Sequence, residues 1–464
     1  MPQATYLMLR LSRLLALGLM LGSVITSARA QAPEPVSLPL PETFFPGLKQ
    51  IIADAIKQSP SMVSRNTENA IAEQDRIAAR AGQLPSLGGN LQYNPLERDY
   101  RADHAGYLKT QQLTYSVTLN QPLFHWGELK ANTRIGELRL KMARGQTAEA
   151  YRLLVQEIRS RYMAVIMSKV IVARGQLGLA IARDQLAVAQ QKYDKKVFSD
   201  ADMFLPRLTC DQATLTADRT AEDYRTAKLT LAKLSGAPVL DDSQIPDEIP
   251  SVPGAQDQLQ SLVNAYSSEK DLKSYALDNL RTQIEVEKLN YTVATTRLKP
   301  KLNMVLGATQ DQQSYTADIS TRYELQTYYA GIQVSWSIFD GFAARSAINS
   351  SLLRRRQMEQ GFQDATTNQL DTVRNELKQL GFSARAMELS ERLLGSAEAG
   401  LHMKQDDLKR GLASDAEVSS AKLDYSFAQV AAFNARADYL TRISGLLSDM
   451  VEDPALASLP AYTP

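Results

Sequence analysis

One cysteine, three histidines and two tryptophans are spread through 464 residues, and that scarcity removes several classes of protein at once. A single thiol cannot form a disulfide within the chain. His104, His125 and His402 show no ligand spacing, so no metal centre is expected. Net charge is almost absent too, because 52 basic side chains face 51 acidic ones. Nucleic-acid surfaces need a marked basic excess, which excludes nucleic acid as the main partner. With 7% aromatic and 44% hydrophobic residues, low-complexity disorder does not fit either. No phosphate-binding glycine loop and no nucleophile elbow occurs, so neither catalysis nor a cofactor is expected. Beyond residue 30, no uninterrupted apolar stretch approaches the roughly 20 residues of a membrane-spanning helix.

What is present begins with Arg10 and Arg13, which precede an apolar run from Leu14 to Ile25 and an Ala28-Arg29-Ala30 site. That order describes a secretory signal peptide over residues 1–30 and an exported protein. A Pro-rich segment, 31–46, follows. The rest repeats itself: Pro85 recurs as Pro300 (300 − 85 = 215). Phe124 and Phe339, Ser199-Asp200-Ala201 and Ser414-Asp415-Ala416, and Asp223-Tyr224 and Asp438-Tyr439 keep the same offset. The duplication defines two repeats, 47–236 and 257–450, joined by a Pro-rich linker, 237–256, and followed by a tail, 451–464.

Each repeat reads as a helix, two short strands, one very long helix, a tight turn and a returning helix. The long helices are expected from about Glu128 to Lys195 and from about Ala343 to Arg410, with no proline in either. Val155, Ile158, Tyr162 and Val165 in one, and Val373, Leu377, Leu380, Ala384 and Met387 in the other, follow the alternating 3- and 4-residue spacing of a coiled-coil seam. Such a helix is roughly 100 Å long at 1.5 Å per residue. The strands, expected over 112–124 and 328–339 with hairpin partners 87–93 and 302–308, carry no charge. They alternate an apolar face with a small polar one, which suits a barrel wall between lipid and water. Charged loops, 97–109 and 311–324, join each pair. Trp126 and Trp336 fall at the helix-proximal strand ends, where an interfacial aromatic girdle belongs. Four strands cannot close a barrel, and open edges are not tolerated in lipid. Copies of the chain must complete the wall, with eight strands in a dimer or twelve in a trimer. The small polar inner face favours twelve and a channel.

With these features the chain resembles the TolC-like outer-membrane efflux protein family. The resemblance rests on the duplicated strand pair and on Pro122-Leu123-Phe124 and Ser337-Ile338-Phe339-Asp340-Gly341, where strands pass into long helices. The turns Val197-Phe198-Ser199-Asp200 and Gly411-Leu412-Ala413-Ser414 also carry it. It implies a mainly α fold with a small β part, assembled as a homotrimer with a periplasmic α-barrel and a 12-stranded transmembrane β-barrel. Such a protein sits in the cell outer membrane, with a large periplasmic part. It serves a tripartite efflux or type I secretion system, opened by a periplasmic adaptor protein and powered by an inner-membrane transporter. A periplasmic coiled-coil adaptor or a structural protein is the alternative. Adaptors, however, carry one hairpin and compact β domains, and a filament has no use for matched strand pairs.

Within that resemblance the turns are the expected site. Ser199 with Asp202, and Ser414 with Glu417, form Ser-x-x-acid patterns that read first as capping boxes. By position Asp202 also matches a gating acid, and Glu417 a member of an acidic entrance ring. Ser420 stands where a second ring acid is expected, and Leu408 and Ala413 replace the usual Tyr and Arg gate residues. Arg410 and Lys196 are then the nearby cations available to a lock. The tips Val197, Phe198, Ser199, Gly411, Leu412, Ala413 and Ser414 are the expected adaptor-docking surface, with Lys196 where the family usually has glycine. Cys210 reads as a packed small residue on the returning helix.

Overall fold

The computed structural model describes residues 39–100, 107–266, 273–314 and 322–458. The expected signal segment and His104 lie outside the described residues, as do parts of 31–46 and 451–464. Three helices, α1 (Pro41–Phe44), α2 (Pro46–Gln58) and α3 (Pro60–Ala81), lead into a hairpin of β1 (Ser86–Tyr100) and β2 (Tyr107–Phe124). The long helix α4 (Glu128–Asp194) follows, and α5 (Asp200–Ser235) returns along it. The order then recurs as α6 (Ala255–Tyr266), α7 (Tyr275–Thr296), β3 (Lys301–Ser314), β4 (Arg322–Ser335), α8 (Ala343–Lys409) and α9 (Asp415–Asp449).

The duplication is kept residue for residue. Both ends of α3 and α7, and both ends of α4 and α8, are separated by the same interval (343 − 128 = 215). Left-handed backbone recurs in register as well: Trp126-Gly127 with Gly341-Phe342, Lys196 with Gly411, and Gly236 with Val451. The two long helices have 67 residues each. The expected seam residues of α4 and α8 are buried. Along α4 there is also an 18-residue window apolar enough, by composition, to cross a membrane. The helix packs against α3, α5, α7 and α9, but only 28% of that window is buried within the chain.

The strands form one antiparallel sheet in the order β1-β2-β3-β4. Register aligns Leu87 with Leu119, Leu119 with Leu306, and Leu306 with Ala330, so one face collects the apolar residues of all four strands. Asn90, Ser116, Thr118, Asn303, Thr309 and Gln333 take the opposite face. There Tyr329 lies over Gly307, whose Cβ, if present, would sit 2.4 Å from the ring, and Tyr329 Oη is 3.2 Å from Thr118 Oγ1. The strands run further than expected into the charged segments, with Arg98 opposite Lys109 and Gln312 opposite Glu324. Backbone pairing does not depend on apolar side chains, so charge marked the wrong boundary. At the other end β4 stops at Ser335, not Phe339. Its partner strand begins at Lys301 after Pro300, which has no N–H to pair with residues beyond.

Midway along the helices a belt of short segments packs on the hairpins. The linker belongs to it: Ile245, Ile249 and Val252 are buried, Lys169 Nζ donates to the Ile245 carbonyl at 2.6 Å, and Arg436 Nη1 donates to that of Ile249 at 2.6 Å. Arg159, wholly buried on α4, donates to Glu42 Oε1 (2.9 Å) and Asp453 Oδ1 (2.9 Å). Two carboxylates thereby offset the desolvation of one guanidinium and pin α1 and the segment after α9 to α4.

A second ionic cluster joins the repeats. Arg152 on α4 pairs with Glu149 and with Asp449 on α9, and Asp449 faces Glu376 on α8. Burial, followed by the hydrogen bond and charge of Asp449, pushes the Glu376 carboxyl up to about 8, against the pull of Arg152 and Arg442. The folded chain keeps a proton that an unfolded Glu, with an ordinary value of 4.5, has already released. Stability therefore falls as pH rises between these two values. The thermal midpoint is expected to drop from pH 5 to pH 9, and Glu376→Gln to flatten that part of the profile. Identical slopes in both proteins would remove Glu376 as the cause.

Candidate functional site

The first tip closes α4 in a left-handed turn. The N–H of Lys196 donates to the Tyr193 carbonyl (2.8 Å) and that of Val197 to Lys192 (2.9 Å), which satisfies the last carbonyls of the helix. Lys196 holds φ 60 without being glycine. Val197 is exposed, whereas Phe198 is half-buried beneath the Lys192 ammonium, 5.2 Å from its ring centroid. Ser199 and Asp202 form the full capping box. The Ser199 N–H donates to Asp202 Oδ2 at 2.8 Å, and the Asp202 N–H donates to Ser199 Oγ at 3.3 Å. Those bonds from Ser199 hold the Asp202 carboxyl below its ordinary range.

The second tip repeats the backbone with different side chains. Gly411 takes the left-handed position at φ 73, and the N–H of Leu412 donates to the Asp407 carbonyl at 2.8 Å. Leu412 is exposed and Ala413 half-buried. Here the cap is only half made: Ser414 Oγ accepts from the Glu417 N–H at 3.3 Å, but the Glu417 carboxylate turns to Lys404 Nζ, 2.7 Å away. Lys404 is the main reason the Glu417 carboxyl lies below its ordinary range. Both tip acids therefore keep their charge through neutral pH and lose these bonds only on acidification below the usual carboxylate range.

Within the chain, neither Arg410 nor Lys196 pairs with Asp202 or Glu417 among the described residues; the cation that reaches Glu417 is Lys404, from the facing helix. Sequence reasoning missed Lys404 because it lies 13 residues away on the facing helix, outside any local pattern.

At the other end of α4 and α8 the expected interfacial residues come together. Trp126 Nε1 donates to the Pro300 carbonyl (2.7 Å) and Trp336 Nε1 to that of Leu298 (2.9 Å), so both indoles hold one loop. Their rings stay exposed, as do Phe124, Ile338, Phe339 and Phe342. Phe124 meets Trp126 edge-on at 4.9 Å, and Phe339 meets Phe342 at 5.5 Å. Cys210 is half-buried on α5. Among the described residues no cluster of His, Cys, Asp or Glu is suited to a metal.

With this geometry in place, a family model described as outer membrane efflux protein matches residues 51–237 and 269–448. The chain belongs to that family. As an outer membrane efflux protein it is an outer-membrane channel with a large periplasmic helical part, which agrees with a sheet apolar on one face and helices roughly 100 Å long. Solved channels share the fold. The Campylobacter jejuni CmeC outer membrane channel is 12% identical with TM-score 0.67, covering 87% of this chain and 85% of that one. The Vibrio cholerae outer membrane protein VceC is 14% identical with TM-score 0.64 (87% and 96% covered). The open state of the Neisseria gonorrhoeae MtrE channel is 13% identical with TM-score 0.64 (88% and 90%). No curated protein sequence is similar enough to count as a match.

Lys196 is where this efflux protein carries strain its own second repeat avoids. Left-handed backbone costs a side chain roughly 1–2 kcal/mol, partly offset by the greater freedom glycine has when unfolded. Lys196→Gly is expected to stabilise the first tip by about 0.5–1 kcal/mol, and Gly411→Ala to weaken the second by about 1 kcal/mol. Hydrogen exchange of the tip amides reads both; unchanged protection in either variant would show that the turn conformation is not limiting.

Proposed function

We propose that this channel protein works as a homotrimeric exit duct. Three copies would close a 12-stranded barrel in outer-membrane lipid above a periplasmic α-barrel. A periplasmic adaptor would open the duct and an inner-membrane pump would power it, for efflux or type I secretion. The observation that carries the reading is a set of unfinished contacts. Within the chain α4 packs against α7 and α9, and β2 pairs with β3. The duplicate of each contact would need α8 against α3 and α5, and β4 against β1. The chain makes none of these comparably with its own elements.

Exposed apolar residues mark the same gaps. Val286 is buried against Leu138, while their counterparts Ile71 and Leu353 are exposed. Met167 and Val430 are buried, while Phe382 and Leu215, at the equivalent positions, are exposed. A second copy supplying its first repeat to this chain's second repeat covers all of them head to tail, and such heterologous contacts close into rings. Twelve strands, rather than eight, leave an interior wide enough for passage.

In this reading Asp202 and Glu417 line the entrance with Arg410 and Lys196 beside them. The tips Val197, Phe198, Ser199, Gly411, Leu412, Ala413 and Ser414 receive the adaptor, and Trp126 and Trp336 mark the membrane boundary. An exposed pair such as Lys404–Glu417 is a weak lock, which suits a gate meant to be opened from outside.

The test is native mass after detergent extraction from outer membranes. Three protomers are expected for the wild type, and Leu353→Glu is expected to shift the mass toward single chains while helix content is retained. A detergent-independent monomer, or a trimer indifferent to Leu353→Glu, would overturn the assembly argued here.

A further inference from the structure

The loop between α7 and β3, Arg297-Leu298-Lys299-Pro300, with Lys301 at the start of the strand, sits where the sheet meets the helices. It is basic, and its counterpart in the first repeat, Gly82-Gln83-Leu84-Pro85, carries no charge. The fold holds it in place from several sides. Both indoles donate to its carbonyls. Lys301 Nζ pairs with Glu128 at the start of α4 (2.6 Å), and Arg297 Nε pairs with Asp340 before α8 (3.1 Å). The loop thus bridges the N-termini of both long helices, where the helix dipoles add positive potential.

The two acids at the junction are already engaged. Lys299 extends over the Trp126 ring, 5.1 Å from its centroid, with its ammonium exposed. Two further cations at equivalent positions, Lys130 and Arg345, stand exposed in the first turns of α4 and α8. Immediately on the strand side lie the exposed rings of Trp126, Trp336, Phe339 and Phe342.

Aromatic rings beside a net-positive, solvent-facing rim are the arrangement that binds an anionic bilayer surface, with rings among the acyl chains and cations among the phosphates. We propose that this junction is a binding site for the headgroups of anionic phospholipids in the periplasmic leaflet, with Lys299, Lys130 and Arg345 as the phosphate contacts. The site rests on the outer-membrane channel reading and adds to it a lipid preference. Because the basic loop occurs in one repeat only, each chain carries one full site and, at the first-repeat junction, a counterpart whose loop contributes no charge.

The measurement is lipid retention by native mass spectrometry. The full-length assembly is reconstituted in vesicles of phosphatidylethanolamine, alone or with phosphatidylglycerol, and conductance is recorded from the same preparations. The wild type is expected to retain phosphatidylglycerol preferentially, with the preference falling about fivefold for each cation removed. Lys299→Gln alone should show one such step, and the Lys130→Gln, Lys299→Gln, Arg345→Gln triple variant almost no preference. Lys378→Gln, far from the junction on α8, should match the wild type. Salt at 0.5 M should reduce the preference, as expected for roughly 4–5 Å of Debye screening. Membrane-inserted wild-type assemblies with no preference, or a triple variant that keeps it, would overturn the site while leaving the channel intact. Failure to insert in both vesicle types would instead overturn the channel reading on which the site rests.

Discussion

In hydrocarbon, a backbone amide or carbonyl without a partner costs several kcal/mol, and water is not there to supply one. That constraint bears on every level of this chain. Its sheet has two free edges, β1 and β4. A sheet whose apolar face turns toward lipid is not expected to leave both open, which is why the proposed duct uses the chain in more than one copy. The same need reaches into the helices, because each strand pair hands its direction to a long helix. In that proposal, β4 of one copy pairing with β1 of the next would bring α8 beside the neighbour's α3 and α5 as well. Ile71 and Leu353 make the point from packing alone, since the duplicate pair, Val286 and Leu138, already lies in a core. Backbone pairing in the membrane and apolar burial below it ask for the same neighbour.

Duplication fixes the backbone far more strictly than the side chains. Left-handed residues recur at equal spacing, yet the tips that share this geometry differ chemically: lysine against glycine, and Phe198 covered by Lys192 against an open Leu412. A backbone trace is set by hydrogen bonds that any residue supplies, whereas exposed side chains at the turns contribute little to folding. They are therefore free to diverge toward whatever binds them. The ionic clusters in the belt diverged in another way. Arg159 is buried with Glu42 and Asp453, whereas its counterpart Arg374 pairs with Asp371 at the exposed surface; Arg152, with Asp449 and Glu376, ties α4 to the other repeat, and its counterpart Thr367 carries no charge.

Much of this was legible before any coordinates. The offset of Pro85 and Pro300 located both repeats, and the absence of proline together with the heptad spacing set the long helices to within a residue or two. Strand faces followed from alternation, a local property. Strand ends did not, because Arg98 and Lys109 pair by backbone while their charge reads as loop. The linker's prolines suggested a tether, but Ile245 and Ile249 are buried, and their burial depends on partners far away in sequence. The capping role of Ser199 and Asp202 was visible because it spans one helical turn. Lys404 was not, since its bond to Glu417 crosses between two helices. In general, contacts within a turn or along one face can be read from the chain, and contacts across a hairpin cannot.

The strain at the membrane-proximal junctions follows a logic of its own. Each has two consecutive left-handed residues, one glycine and one aromatic, but in opposite order: Trp126 before Gly127, and Gly341 before Phe342. Had only backbone shape mattered, a second glycine would relieve roughly 1–2 kcal/mol at each junction. The aromatic is kept in both, exposed to solvent in the single chain, and Trp126 is further fixed by its bond to Pro300. A strained, exposed ring makes no sense as core packing. It fits the proposed boundary between water and lipid, where an amphipathic indole is more stable than in either phase, a phenyl ring can reach the acyl chains, and the cations of the adjoining loop would meet phosphate. Strain, ring and charge converge there for one physical reason: the chain passes from a sheet solvated by lipid to helices solvated by water within a few residues.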